Sequence, residues 1–270
     1  MSLAGGKVRA TRRLRTALAM VFCLKNWPRV ALGWLRAHPA PLIFRSGLIL
    51  EGGEGEDALQ GFESVFRDRD YRRFVEEPES GQLVDIGANI GALTLDWLTR
   101  KPRVTVHAYE PNPRTFAVLQ RNVLLNRRAD RAHLYDEGVW SGAETLLLHQ
   151  DRASSVATTA FPDREAVGEP FQVKTVGLDE VVGRCPADQR IKLLKIDTEG
   201  AEAEILEGAA PATLARVDQC VLEYHDFRVP GALARCRKVL ESNGFHCIAR
   251  PTGAAGGLLY GLRRKASPPY

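Results

Sequence analysis

The stretch Leu83-Val84-Asp85-Ile86-Gly87-Ala88-Asn89-Ile90-Gly91 decides the fold. Residues 83–86 read as a short buried strand, and a glycine turn follows directly. A helix is expected from Gly91 to about residue 100. Val104-Thr105-Val106-His107-Ala108-Tyr109 is a second strand. Pro113 opens the next helix, which runs to about Asn126 with Phe116, Leu119, Val123 and Leu124 on one side. Residues 83–126 therefore form a nucleotide-binding βαβ unit. Sheets of this kind bind ligands beyond the carboxyl ends of their strands, where strand order reverses. Asp85, Gly87, Asn89 and Gly91 fall at that place and are candidate cofactor contacts. Gly87 permits a tight turn, and Gly91 a close approach of helix or ligand. Glu110 ends the second strand, nineteen residues beyond Gly91, and a carboxylate there can accept both hydroxyls of a ribose. The middle glycine of a dinucleotide fingerprint is missing from Gly87-Ala88-Asn89-Ile90-Gly91, which counts against a pyrophosphate cradle.

NAD and S-adenosylmethionine (SAM) both carry such a ribose. The acidic surroundings favour SAM, whose sulfonium and amino group are cations, beside Asp85. Asn112 is placed to hold either the ribose or the turn. Asp136 and Glu137 end a third strand, expected over 132–136, where an adenine ring would reach. Glu137 is the candidate acceptor for the adenine amine, with Val139 or Trp140 against the ring.

Strands and helices keep alternating beyond this unit. Short strands at 144–148 and 171–176 flank a long polar loop, 149–170, expected to act as a lid. Residues 191–196 are a nearly continuous apolar strand, interrupted by Lys192 and Lys195. Helix 201–208, strand 217–224, helix 231–242, a turn at Asn243-Gly244 and strands 245–249 and 258–262 follow, the last paired antiparallel. Such a pattern implies a mainly parallel sheet covered on both faces. Asp197 ends the apolar strand on the same rim as the glycine loop. Glu199 begins the next helix, either as an end cap or as a site group. Alternation puts Glu223 and His225 on one side of the following strand. Asp197, Glu223 and His225 are the candidate catalytic residues, and Asp197 is also a candidate for the SAM amino group. A neutral His225 can take a proton from an alcohol. The same three could hold a divalent ion, but such a set is not specific for one, and no metal ligand is assigned.

Apolar residues make up 44% of the 270, enough for one large α/β core and too many for a disordered chain. Five scattered cysteines without a Cys-x-x-Cys pair argue for reduced thiols in a cytoplasmic protein, against disulfides or a zinc site. The net charge of +4 hides an asymmetry: residues 1–45 carry nine Lys or Arg and no acid, leaving 28 basic against 33 acidic residues beyond. The run from Ala17 to Leu24 is too short to span a bilayer and lacks a small-x-small cleavage site. Residues 11–37 read as amphipathic helices broken near Pro28, which could pack on the main domain, join a second copy, touch a membrane surface or meet a substrate or nucleic acid. Leu42-Ile43-Phe44 and Leu48-Ile49-Leu50 flank Ser46-Gly47 and suggest a hairpin. Residues 58–76 have helical spacing, with Phe62, Val65, Phe66 and Tyr71 in an apolar stripe. The expected organisation is a basic extension over 1–57, a catalytic domain over 58–263 that includes this lead-in helix, and a tail over 264–270.

Together these segments resemble the FkbM-type family of SAM-dependent methyltransferases. The resemblance rests on Val84 to Gly91, on Tyr109-Glu110-Pro111-Asn112-Pro113 with Leu119 and Asn122, and on Thr175-Val176-Gly177-Leu178-Asp179. It continues through Leu194-Lys195-Ile196-Asp197-Thr198-Glu199-Gly200-Ala201-Glu202, Leu206-Glu207-Gly208-Ala209 and Glu223-Tyr224-His225. It covers roughly 60–250; the first motif is shared by many methyltransferases, and the Asp197 segment is far more specific. Glu137-Gly138-Val139-Trp140-Ser141 departs from the Ala-Leu-Ser of many relatives. The resemblance implies a class I, Rossmann-like fold, a seven-stranded and mostly parallel sheet with an antiparallel last strand. It also implies methyl transfer to oxygen on a sugar, polyketide or other natural product, with Asp85, Gly87, Asn89 and Glu110 touching SAM and Asp197, Glu199, Glu223 and His225 forming a polar rim. Three rivals are an NAD-dependent oxidoreductase, a nucleic-acid methyltransferase and a noncatalytic SAM-binding protein. The missing central glycine weakens the first, and the absence of an Asn-Pro-Pro-aromatic signature weakens the second.

Overall fold

A computed structural model describes residues 14–35, 40–52, 57–151, 158–160, 166–253 and 255–263. The helix α1 (residues 14–23) and α2 (Trp27–Leu35) precede a hairpin of β1 (Leu42–Ile43) and β2 (Ile49–Leu50). The hairpin pairs Leu42 with Leu50 as its sequence suggests. The break between the two helices lies at Leu24 to Asn26 rather than at Pro28, which sits in the first turn of α2, where its missing N–H is not needed. Asn26 holds the corner: its side-chain amide donates to Pro41 O at 2.8 Å and its Oδ1 accepts from Ile43 N at 3.0 Å.

The expected single lead-in helix is broken into α3 (Asp57–Gly61), a π turn over Phe62–Arg67 and a 3-10 turn over Asp70–Arg72. Arg69, in the left-handed region at φ 54°, redirects the chain. The break turns Tyr71 away from a continuous stripe and onto the rim of the main sheet.

The unit that the glycine loop announces follows as β3 (Ser80–Ile86), α4 (Ala92–Arg100), β4 (Arg103–Tyr109), α5 (Pro113–Leu125) and β5 (Ala132–Tyr135). Next come β6 (Gly138–Trp140), β7 (Thr145–Asp151), β8 (Thr158–Thr159), β9 (Ala166–Gly177) and α6 (Leu178–Gly183). The chain ends with β10 (Ile191–Ile196), α7 (Glu202–Glu207), α8 (Pro211–Ala215), β11 (Gln219–Tyr224), α9 (Ala232–Ser242), β12 (Phe245–Pro251) and β13 (Gly257–Arg263).

Seven strands form the main sheet in the order β12-β13-β11-β10-β3-β4-β5. Strand β13 runs antiparallel to both β11 and β12, and the pairs β11–β10, β10–β3, β3–β4 and β4–β5 are parallel. This is the class I methyltransferase arrangement. Alternating side chains feed two cores: Leu83, Val106 and Val221 face one side of the sheet, and Val84, Ile86, Leu194 and Leu222 the other. The N-terminal extension is part of the first core, to which Met20, Leu24, Phe44 and Leu50 contribute alongside Phe62 and Leu93.

The two short strands expected at 144–148 and 171–176 pair antiparallel and belong to a second sheet, ordered β6-β9-β7-β8. Strands β7 and β9 reach further into 149–170 than the sequence pattern indicated, and β6, which it did not indicate, pairs parallel with β9. The parts of that segment that carry the lid expectation, 152–157 and 161–165, lie outside the described residues, as do 1–13, 36–39, 53–56, 254 and the tail 264–270.

Candidate active site

Strand order reverses between β3 and β10, and the site opens above their carboxyl ends. Register places Ile86 beside Ile196, so Gly87 meets Asp197. Gly87 adopts φ +72°, and a Cβ there would lie 1.8 Å from Asp197 O. Only glycine lets the two strand ends come this close. The N–H groups of Gly87 and Ala88 donate to Tyr109 O at 3.0 and 2.9 Å, which ties the loop to β4.

Glu110 follows β4 and is almost fully buried. Its Oε2 accepts from Asn89 N and its Oε1 from Asn112 N, each at 2.9 Å. Burial pushes this carboxyl up to about 7, although those two N–H groups and Lys195 favour the charged form. Glu110 lines a cleft with Gly87, Asn89, Glu137, Asp197 and Glu199. The second sheet closes the opposite wall with Val139, Trp140, Leu146, Leu148 and Val173. The cleft thus has a fixed acceptor at one end and an apolar wall suited to a flat ring.

Three sequence candidates stand behind this cleft rather than in it. Asp85 is buried beneath the loop, accepts from Thr94 Oγ1 at 2.7 Å and pairs with Lys195 Nζ at 3.1 Å. Gly91 packs against Leu119, whose Cδ1 would lie 2.5 Å from an added Cβ. Asn112 caps α5, its Oδ1 taken by Arg114 N at 3.0 Å. Each holds the loop in shape, and none of the three is among the residues that line the cleft. Glu137 does line the cleft, in a two-pronged ion pair with Arg184.

A second cavity adjoins the first and shares Gln60, Gly87, Asn89, Asp197 and Glu199 with it. Its far side is built by the lead-in segment, with Glu63, Ser64, Asp68, Asp70 and Tyr71, and by Glu223 on β11. Tyr71 Oη donates to Asp197 Oδ2 at 2.8 Å and lies 3.4 Å from Glu223 Oε2. Burial and the neighbouring carboxylates raise the tyrosine well above its ordinary value, so it stays protonated. Burial, then the charge of Asp197, pushes Glu223 up to about 8. Asp197, Glu223 and His225 present atoms within 4.8 Å of one another, as the strand ends suggested.

His225 is held between two carboxylates. Its Nδ1 sits 3.0 Å from Glu202 Oε1 and its Nε2 3.4 Å from Glu199 Oε2. Burial pulls the imidazole down, but the Glu202 bond and the charges of Glu202, Glu199 and Asp197 outweigh it and push it up to about 10. An imidazolium cannot accept a proton from an alcohol, nor offer a lone pair to a metal ion. His225 instead anchors the turn after β10. Glu202, fully buried, accepts from Thr198 N and Gly200 N at 3.1 Å and shapes that turn. Helix α7 starts at Glu202, so Glu199 is no end cap: it lies in the turn at φ 56° and faces both cavities.

Sequence reading passed over Tyr71, Lys195 and Glu202 as site residues. Lys195 left a signal, a cation near the end of an otherwise apolar strand; it donates to Ile86 O at 3.1 Å and also to Gly87 O, fixing the loop from below. Glu202 was visible only within the motif, and Tyr71 looked like one more residue of an apolar stripe.

Residues 85–247 match the methyltransferase FkbM domain. The chain belongs to this FkbM methyltransferase family. It is 31% identical to the 31-O-demethyl-FK506 methyltransferase FkbM of Streptomyces tacrolimicus, over 70% of this chain and 82% of that protein. It is 28% identical to the hexuronic acid methyltransferase AglP of Haloferax volcanii, over 78% of this chain and 84% of that one. The crystal structure of methyltransferase FkbM from Methylobacillus flagellatus KT superposes with a TM-score of 0.51 at 18% identity, covering 74% of this chain and 47% of that one, a likeness of fold. The two-cavity rim is therefore the candidate active site of an FkbM-family methyltransferase.

Proposed function

We propose that this methyltransferase moves the methyl group of SAM to a hydroxyl of a small polar acceptor, a sugar or another hydroxylated natural product. The observation that carries the reading is that the cleft holding Glu110 meets a second cavity at Asp197 and Glu199. SAM fills the first. Its ribose hydroxyls donate to Glu110, its adenine lies against Val139 and Trp140 with Glu137 near the amine, and its cationic methionine end faces Asp197. The acceptor fills the second, lined by acidic groups and Tyr71. That acidic lining suits a neutral polyol and opposes a phosphodiester, which disfavours nucleic acid. The names of the two relatives above support an oxygen acceptor on a natural product or a sugar.

In the reaction the acceptor oxygen attacks the methyl carbon, the carbon–sulfur bond breaks and the sulfonium becomes a neutral thioether. The hydroxyl proton passes to a carboxylate. Glu223, which lines the second cavity and which burial pushes up to about 8, accepts that proton in its charged form, while Tyr71 holds Asp197 in place between donor and acceptor. Most of the acceleration comes from alignment and exclusion of water. The test is to incubate the full chain with methyl-labelled SAM and a panel of sugars, hydroxylated polyketides and RNA. Label is expected as a methyl ether on a small hydroxyl compound; transfer to RNA in preference to every hydroxyl compound would contradict the proposal.

A further inference from the structure

Helix α1 has two unlike faces. Thr16, Met20 and, just past its end, Leu24 are buried against the domain. On the opposite side Leu14, Leu18 and Phe22 recur at four-residue spacing and so lie along one line. They are 61%, 51% and 75% exposed. Isolated exposed apolar side chains need no explanation, but an aligned row of three on one helix does. The segment that carries them, residues 1–45, has nine Lys or Arg and no Asp or Glu. An apolar row within an all-basic segment has the pattern of a helix that lies in the headgroup plane of an anionic bilayer. No helix among the described residues is long and apolar enough to cross a membrane, so contact with the surface is the mode left to this one.

We propose that α1 docks the enzyme onto an anionic membrane surface, with Leu14, Leu18 and Phe22 entering the headgroup boundary. Charge decides between this occupant and a second copy of the chain. Two copies meeting through this face would bring two wholly basic segments together, whereas anionic lipid neutralises them. The location has a consequence for function. The buried face of α1 rests on a wall of the second cavity, where Thr16 bonds to both Glu63 and Arg67, which line it. Docking would hold that cavity near the headgroups, within reach of an acceptor carried at the membrane surface.

Flotation of the full chain with vesicles tests this directly. The chain should float with mixed phosphatidylcholine–phosphatidylglycerol vesicles, not with phosphatidylcholine alone, and high salt should release it. A Leu18→Asp, Phe22→Asp double variant should partition about tenfold less or weaker still, with an unchanged melting temperature because both side chains are exposed. Lys25→Glu with Arg29→Glu should weaken flotation without touching the apolar row. Failure of the wild-type chain to float on the anionic vesicles, or equal flotation of the double variant, would overturn the proposal. So would sedimentation velocity showing a dimer that the double variant dissolves and anionic lipid leaves intact.

Discussion

Replacing Glu110 by glutamine separates support of the loop from recognition of the ribose. Each carboxylate oxygen now accepts one backbone N–H at 2.9 Å. Glutamine has one oxygen, so its amide nitrogen must face a backbone donor, and a buried hydrogen bond is lost. That costs about 1–3 kcal/mol of stability, or a melting temperature lower by several degrees for a chain of this size. The ribose separately loses a charged acceptor, about 1.5–3 kcal/mol, which weakens binding roughly 10- to 150-fold. Calorimetry with S-adenosylhomocysteine measures the second effect, and a thermal melt without ligand the first. The pH dependence gives a sharper check. Ribose hydroxyls donate to the charged form, and burial holds Glu110 at about 7, so affinity is present above that value and lost as pH falls through it. Wild-type affinity should drop about tenfold from about pH 8 to about pH 6, and the glutamine variant should show no such drop. Equal affinity of the two proteins, or parallel pH profiles, would refute the assignment of the ribose to Glu110.

Glu223→Gln should lower turnover by roughly 10²–10⁴ yet leave cofactor affinity unchanged, because Glu223 lines only the second cavity; unchanged turnover would shift the proton acceptor to Asp197. Gly87→Ala combines a positive φ with a Cβ 1.8 Å from Asp197 O, so both thermal stability and cofactor binding should fall, and a variant that melts and binds like wild type would show that the strand ends are not so close. His225 should titrate near 10 by nuclear magnetic resonance, since Glu202 and Glu199 hold its proton. Its folded value lies above the unfolded value of about 6.5, so its contribution to stability is full below that and is lost as pH rises through about 10. His225→Ala should cost about 3–5 kcal/mol by leaving Glu202 buried without its partner, read as a lower denaturation midpoint near neutral pH; a histidine titrating in the ordinary range would contradict the ion pair.

The main sheet was legible because its signals are local. Glycine turns, apolar runs and Pro113 each mark an element boundary without help from distant residues. The placement of Glu110, Asp197, Glu223 and His225 on one rim followed from strand ends and alternation alone. Charge states did not. His225 is drawn toward its charged form because Glu202, from a helix twenty-three residues earlier, points at it, and no property of residues 223–226 reports that contact. Tyr71 was hidden for a similar reason: its stripe fits a helix, and only the left-handed turn at Arg69 and the carboxylates of β10 and β11 make it a site residue. Of the second sheet, the paired cores of β7 and β9 were legible, whereas β6 and β8 are only three and two residues long and β9 begins within a polar stretch, which leaves no pattern to read.

A crystal structure with S-adenosylhomocysteine tests the central claim most directly. The ribose is expected on Glu110, the adenine against the wall that holds Val139 and Trp140, and the sulfur turned toward Asp197 and the second cavity. A nucleoside bound away from Glu110, or a sulfur facing away from that cavity, would contradict the methyl-transfer geometry.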